Sequence, residues 1–294
     1  MRLVLDCSNG AAAQVAPKIL RDLGAEVAVV NDSLEGDRIG VCCGSEYIRQ
    51  YPECLAELVY VHKAQYGFSL DGDGDRLVVV DLAGNMYDGH DLIYLLASHF
   101  QQRGLLRGKT VVITNQANRG LKPALQALGV DAIETSNGDS QLERALYSRG
   151  FTLAGEPGGN IIINDGFHTA ADATYTAILV GEALNQDPPV PLIERVAPLR
   201  EYMAGYPQAT RAVRVTTKIS QKQLDELKAF GAQKQDILGA GSRVEVRHSS
   251  TDPELFRVTV EGWRKEMHED VEAAADEISD QIAALTKPGG TWHG

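Results

Sequence analysis

The sequence predicts an α/β fold class: two consecutive three-layer α/β/α domains followed by a smaller α+β C-terminal domain. Three observations carry this prediction. Short apolar runs and helical runs alternate from the first residues to Leu184. A proline-rich stretch, Asn185-Gln186-Asp187-Pro188-Pro189-Val190-Pro191, then stiffens the chain and stops the preceding helix. Beyond it, strands alternate apolar and polar residues, and two helices are amphipathic. The expected domains are 1–87, 88–187 and 192–294.

Leu3-Val4-Leu5 reads as a first strand. Ala11 to Leu23 reads as a helix closed by Gly24, with Pro17 either kinking it or marking a late start. Glu26 to Val30 is the next strand, and this β-α-β order implies a parallel pair. Strands at 66–70 and 77–81 follow. A second unit opens near Asp88, with helices over 91–102, 120–128, 141–148 and 170–184. Its strands fall at 110–114, 132–135, 152–154 and 161–163. In the last domain, strands are expected at 212–216, 243–247 and 256–260, and helices at 221–230 and 269–285.

The 294 residues are 44% hydrophobic and 23% charged, ordinary for a globular protein. The net charge of −12 disfavours nucleic acid as a partner, which wants a basic face. Phosphorylated small molecules stay open, because a few local arginines suffice to bind them. No run is long enough for a membrane span and no signal peptide is present, so no membrane role and a cytoplasmic location are expected. Cys7, Cys42, Cys43 and Cys54 lack zinc-like spacing and read as reduced thiols.

The chemistry concentrates in Asp71-Gly72-Asp73-Gly74-Asp75-Arg76, between two apolar strands. Three carboxylates at alternate positions repel unless a counter-charge joins them, and the glycines let the backbone fold tightly enough to converge them. Oxygen ligands alone favour Mg²⁺, Mn²⁺ or Ca²⁺ over zinc. A calcium EF-hand is rejected, because its sixth and twelfth positions, glycine and glutamate, hold Arg76 and Leu82 here. An aspartate-nucleophile phosphatase does not account for three acids and Arg76. A solvated acidic turn is the remaining alternative.

Three further loops each admit two readings. Asp6-Cys7-Ser8-Asn9-Gly10 is an anion site at a helix start or a plain N-cap by Ser8 or Asn9. Gly155-Glu156-Pro157-Gly158-Gly159-Asn160 offers Glu156 to sugar hydroxyls or is a hairpin turn. Arg247-His248-Ser249-Ser250-Thr251-Asp252-Pro253 is a phosphate cradle or a solvated hairpin loop.

In this order the loops resemble those of the phosphohexomutases, most nearly the bacterial phosphoglucosamine mutase branch. The family's D-G-D-G-D-R loop is matched at Asp71 to Arg76, and its D-C-A-N-G-A-A opening is similar to Asp6 to Ala12. Ala16-Pro17 and Leu23 to Val27 also fit the pattern, while Gly155 to Asn160 and Arg247 to Pro253 echo the sugar loop and the phosphate loop. The resemblance implies that 1–87, 88–187 and 192–294 are the family's second, third and fourth domains. It implies a reaction that moves a phosphoryl group between the C1 and C6 oxygens of a hexose or hexosamine phosphate, through an enzyme phosphoserine. It implies Mg²⁺ as cofactor, with Asp71, Asp73 and Asp75 as metal ligands. Arg76 would meet the transferring phosphate, Glu156 and Asn160 the sugar, and Arg247, Ser249 and Thr251 the non-reacting phosphate.

The sequence also departs from the pattern. The family's phosphoserine belongs to a first domain, and the sequence opens at the second. Ala97-Ser98-His99-Phe100 has the letters of the serine loop but lies within a helix. Gly158 and Asn160 replace serine and histidine, and asparagine cannot act as an acid or base near neutral pH. Ser140 stands where an arginine is expected, Ala171-Asp172-Ala173 replaces Gly-Asp-Gly, and Ser250 and Asp252 replace glycine and glutamate. His168 is either a substitute for the lost histidine or a surface residue. Two functions follow: a mutase part completed by a serine domain from an upstream segment or separate chain, or a non-catalytic binder of Mg²⁺ and sugar phosphate. A phosphatase using the acid loop directly is a third. Alone, the chain is expected to show no mutase activity and to expose a flank that invites self-association or a partner.

Overall fold

The computed structural model describes residues 1–168, 170–186, 189–215, 219–248 and 254–285. It divides into two compact units, Met1–Ala117 with Leu121–Leu199, and Asn118–Gly120 with the chain from Arg200 onward.

The first unit holds two sheets. The first is built from β1 (Arg2–Asp6), β2 (Glu26–Val30), β3 (Tyr66–Leu70), β4 (Leu77–Asp81) and β5 (Met86–Tyr87), in the order β2-β1-β3-β4-β5. β1 runs parallel to β2 and β3, and β4 and β5 close the sheet antiparallel. The helical run after β1 resolves as a late start. A 3-10 turn covers Ala11–Gln14, and α1 (Ala16–Asp22) follows with Pro17 in its first turn, where a missing N–H costs nothing. Two helices that the periodicity did not reveal, α2 (Ser45–Gln50) and α3 (Pro52–Val61), pack Ile48, Leu55 and Val59 under Val4, Val78 and Val80. Neither has a side-chain cap.

Helix α4 (Gly89–Gln102) opens the second half of this unit. Asp88 and Asp91 form a capping box at its start. Leu92, Ile93, Leu95 and Leu96 are all buried, each contributing about 1.5–3 kcal/mol. The second sheet comprises β6 (Thr110–Thr114), β7 (Asp131–Thr135), β8 (Leu153–Gly155) and β9 (Ile161–Ile163) in the order β7-β6-β8-β9. β6 is parallel to β7 and β8, whereas β9 turns back antiparallel on β8. Helices α5 (Leu121–Ala127), α6 (Asp139–Arg149) and α7 (Ala173–Leu184) cover it, with Leu142 and Leu146 on Val112, Ala154 and Ile162. Each half is thus an α/β/α sandwich.

Helix α8 (Leu192–Ala204) carries the chain out of the first unit. In the second unit, β10 (Gln208–Arg214), β11 (Arg243–His248) and β12 (Leu255–Glu261) form an antiparallel sheet in the order β10-β12-β11. Helices α9 (Gln221–Leu238) and α10 (His268–Leu285) bury Leu227, Val271, Ile278 and Ile282 against Phe256, Val258 and Val260. α9 runs eight residues past its expected end at Phe230, straight through Gly231. That glycine serves close packing, since a Cβ there would lie 3.3 Å from Val244. Glu261 is fully buried, accepts the Arg119 backbone N–H at 2.9 Å and faces the Arg243 guanidinium at 3.1 Å. Among the described residues no helix is long and apolar enough to cross a membrane. All four cysteines are free.

Candidate metal centre and sugar-phosphate site

The acid loop joins β3 to β4, so it leaves the carboxyl end of β3. The Asp6 loop leaves β1 at the same sheet edge, since Asp6 is in register with Ser69. Its amides are committed: Asn9 N–H donates to Asn31, Gly10 N–H to Cys7 and Ala11 N–H to the Gly72 carbonyl at 2.8 Å. Neither Ser8 nor Asn9 caps a helix, and both take left-handed backbone angles. A Cβ on Gly10 would lie 2.3 Å from the Gly72 oxygen. The loop therefore braces the acid loop, and the sequence readings of it as an anion site or an N-cap do not describe it.

Within the acid loop, Asp71 Oδ1 accepts the backbone N–H groups of Gly74, Asp75 and Arg76 at 3.1, 3.0 and 3.1 Å. This folds the loop back so that one oxygen from each of Asp71, Asp73 and Asp75 lies within 4.8 Å of the others. Gly74 has φ +80°, which an L side chain rarely adopts. Arg76 Nε is 3.7 Å from both Asp71 Oδ2 and Asp75 Oδ1, too far for hydrogen bonds. Accordingly, Asp75 Oδ1 and Arg76 Nε are both buried without a hydrogen-bond partner. Burial pushes the Asp71 carboxyl up to about 8, reinforced by the neighbouring Asp75 and Asp73 carboxylates. For Arg76, burial is outweighed by the surrounding anions Asp75, Glu156, Asp71 and Asp139, which hold its guanidinium above its ordinary value. Three carboxylates thus face a single guanidinium, and negative charge is in excess. Three converging carboxylates, one with an orphaned oxygen, fit a hard divalent cation. Beside Gly72 and Asp73 lies an open cleft of about 540 Å³, walled by Leu34 and Ile39.

The loop between β8 and β9 is both the hairpin and the neighbour of the acid loop. Arg76 and Asn160 form an isolated antiparallel bridge, and Leu77 N–H donates to the Gly159 carbonyl at 3.1 Å. Asn160 is 1% exposed and donates from Nδ2 to Asp75 Oδ2 at 3.0 Å. Under this loop, Arg49 Nη1 donates to the Pro157 carbonyl at 2.7 Å, and Gly89 N–H donates to the same oxygen at 3.2 Å. Arg49 also faces Asp88 at 3.8 Å, and Asp88 in turn pairs with His90 Nδ1 at 3.0 Å. Burial opposes both charges of that pair, but each partner prevails over it: Asp88 is held well below the usual carboxylate range and His90 above the usual imidazole value.

The structure thus gathers Asp71, Asp73, Asp75, Arg76, Glu156 and Asn160 in the first unit. Arg247 lies half-buried on β11 of the second unit, with Glu245 at 4.0 Å. Ser249 and Thr251 lie outside the described residues. Ser98 sits mid-helix in α4, where its Oγ accepts from Gln102 Nε2 at 3.2 Å. Ser140 is exposed in the first turn of α6. His168 stacks on Tyr175 with ring centroids 4.0 Å apart and pairs with Asp165 at 2.8 Å. Sequence reasoning missed Asp139, whose carboxyl is raised by burial and by the charge of Asp75, and the Arg49–Asp88–His90 group. Only the latter left a local signal, the acid-glycine-histidine-acid start of α4.

Fold and site together define an α/β/α protein with three converging carboxylates at one end of its first sheet. Comparison with known proteins specifies the family. Residues 1–84 match the phosphoglucomutase/phosphomannomutase alpha/beta/alpha domain II, and residues 88–202 match domain III. The phosphoglucosamine mutase of Carboxydothermus hydrogenoformans is 34% identical over 287 residues, covering 98% of this chain and 61% of the relative. That of Pelobacter propionicus is 36% identical over 282 residues, covering 96% and 59%. Among solved structures, a phosphoglucomutase/phosphomannomutase family protein from Burkholderia thailandensis superposes with a TM-score of 0.69 at 21% identity, covering 99% of this chain and 62% of that one. An Aspergillus fumigatus N-acetylphosphoglucosamine mutase, solved with GlcNAc-6P and magnesium, gives 0.63 at 18%, covering 96% and 66%. The chain belongs to the phosphohexomutase family. It spans about three fifths of the length of the curated relatives it matches.

Proposed function

We propose that this chain supplies the metal and sugar loops of a Mg²⁺-dependent phosphohexomutase of the phosphoglucosamine mutase type. The supporting observation is the convergence of Asp71, Asp73 and Asp75 around an orphaned Asp75 oxygen. These three residues would hold Mg²⁺, which when bound neutralises charge on a transferring phosphoryl group. Arg76, whose Nε makes no hydrogen bond, is assigned to the oxygens of that group. Glu156, near enough to shift Arg76, is assigned to sugar hydroxyls. Arg247, Ser249 and Thr251 are assigned to the phosphate that does not react. The domain division 1–87, 88–187 and 192–294 belongs to this reading, as does a cytoplasmic location. The phosphoserine would come from the two fifths of the relatives' length that this chain does not match, in the same polypeptide or a separate one.

Calorimetry with Mg²⁺ and glucosamine 6-phosphate tests the binding half: heat is expected for both, and no heat with any hexose or hexosamine phosphate removes it. A coupled mutase assay primed with hexose bisphosphate tests the catalytic half. No turnover is expected from these 294 residues alone. Turnover that vanishes on Asp73→Ala would place the nucleophile within them. A second reading, a non-catalytic binder of cation and sugar phosphate, is favoured by Asn160, which offers no acid or base and is committed to Asp75. The same assay separates the two once a phosphoserine segment is added.

A further inference from the structure

We propose that Asn160 is a positioning residue for the metal ligand Asp75, in place of a direct contact to sugar. The inference rests on the reading of the acid loop as a metal centre. Asn160 is almost wholly buried, and its Nδ2 donates to Asp75 Oδ2 at 3.0 Å. An ionised carboxylate only accepts, so the amide must present its NH₂ and not its oxygen. That bond leaves Asp75 Oδ1 as the oxygen without a hydrogen-bond partner. One oxygen is pinned and the other is free to ligate, which is how an outer group fixes a metal-binding carboxylate.

The backbone carrying Asn160 is itself fixed to the acid loop. Asn160 bridges Arg76, its carbonyl accepts the Glu156 N–H at 3.0 Å, and the Gly159 carbonyl accepts Leu77 N–H at 3.1 Å. Gly159 has φ +95°, and a Cβ there would lie 2.4 Å from the Leu77 oxygen, so nothing larger than glycine permits this approach. Asn160 is therefore aimed by main-chain pairing, and its side chain closes the last gap to Asp75. The resemblance places histidine at this position. Imidazole Nδ1 stands the same number of bonds from the backbone as the amide nitrogen, so histidine can make the same donation, whereas alanine and serine cannot reach.

Mn²⁺ binding to the full chain, followed by calorimetry and by the electron paramagnetic resonance signal of free Mn²⁺, tests this at pH 8. Asn160→Ala is expected to weaken Mn²⁺ binding by about 10-fold to 100-fold, the usual cost of losing an outer partner of a metal ligand. Asn160→Ser is expected to do the same and serves if the alanine variant does not fold. Asn160→His is expected to return affinity to within about threefold of the wild type. A folded alanine or serine variant that binds Mn²⁺ as the wild type does would overturn the assignment. So would a histidine variant as weak as alanine. A wild-type chain that binds no Mn²⁺ overturns the underlying metal reading instead, and that result is seen before any variant is made.

Discussion

Asp6 and Asp75 are carboxylates at the same edge of the first sheet, yet their surroundings differ in kind. Both Asp6 oxygens are satisfied: Oδ1 accepts from Ser8 N–H and Asn31 Nδ2, and Oδ2 from Gly44 N–H and Ser69 Oγ, all within 2.7–3.0 Å. Asp75 has one partnered oxygen and one buried orphan, and it shares its loop with two more acids. A carboxylate whose acceptors are all filled from the chain is holding the fold together. One with an open acceptor, in a cluster where negative charge is in excess, is the better candidate for binding something from outside the chain.

The satisfied carboxylate is the costlier one to lose. Asp6→Ala strands donors from four segments, three of them buried (Ser8 N–H, Gly44 N–H and Ser69 Oγ), and unsatisfied buried groups cost about 1–3 kcal/mol each before relaxation. A loss of about 4 kcal/mol in urea denaturation is expected. A loss below about 1 kcal/mol would show that the Asp6 network is dispensable.

Asp75→Asn addresses the second member. It removes a negative charge from a crowded cluster, so the metal-free chain should lose less than about 1 kcal/mol or gain stability. Mn²⁺ affinity should fall by about 100-fold, because a ligand charge is gone. Equal damage to stability and affinity would mean that Asp75 holds the fold together as Asp6 does. Gly10→Ala links the two regions, because its Cβ would strike the Gly72 oxygen at 2.3 Å. It should cost about 2 kcal/mol and weaken Mn²⁺ binding together, since it displaces the acid loop as a body.

The comparison also explains what could be read from the sequence. The acid loop was legible because its three carboxylates lie within five residues and turn geometry alone converges them. The parallel strands were legible from their apolar runs. The partners of Asp6 were not, because Asn31, Gly44 and Ser69 stand 25, 38 and 63 residues away. Asn160 meets Asp75 across 85 residues, and only the folded chain reveals that its amide points inward at a carboxylate. Helices α2 and α3 escaped for a local reason: no side chain caps either, and Pro52 divides a run too short to show a period.

His90 matters least: it supports the underside of the β8–β9 loop through Asp88 and Arg49. Asp88, Asp91 and Arg49 act on its charge. Its folded value is raised above 6.5, so its contribution to stability is complete below that pH and is lost as pH rises through the folded value. Asp88 is lowered from 3.8, so its contribution is present above that pH and is lost as pH falls through the lowered value. The pair therefore stabilises most between about pH 4 and 6.5. His90→Gln, which keeps a polar side chain, should cost about 1.5 kcal/mol at pH 6 and less at pH 9, read from paired urea melts. A cost that is the same at both values would mean that the imidazole is held by packing rather than by charge. Mn²⁺ affinity should move by less than threefold in this variant, because Asn160 is held to the acid loop by main-chain bonds that do not pass through His90.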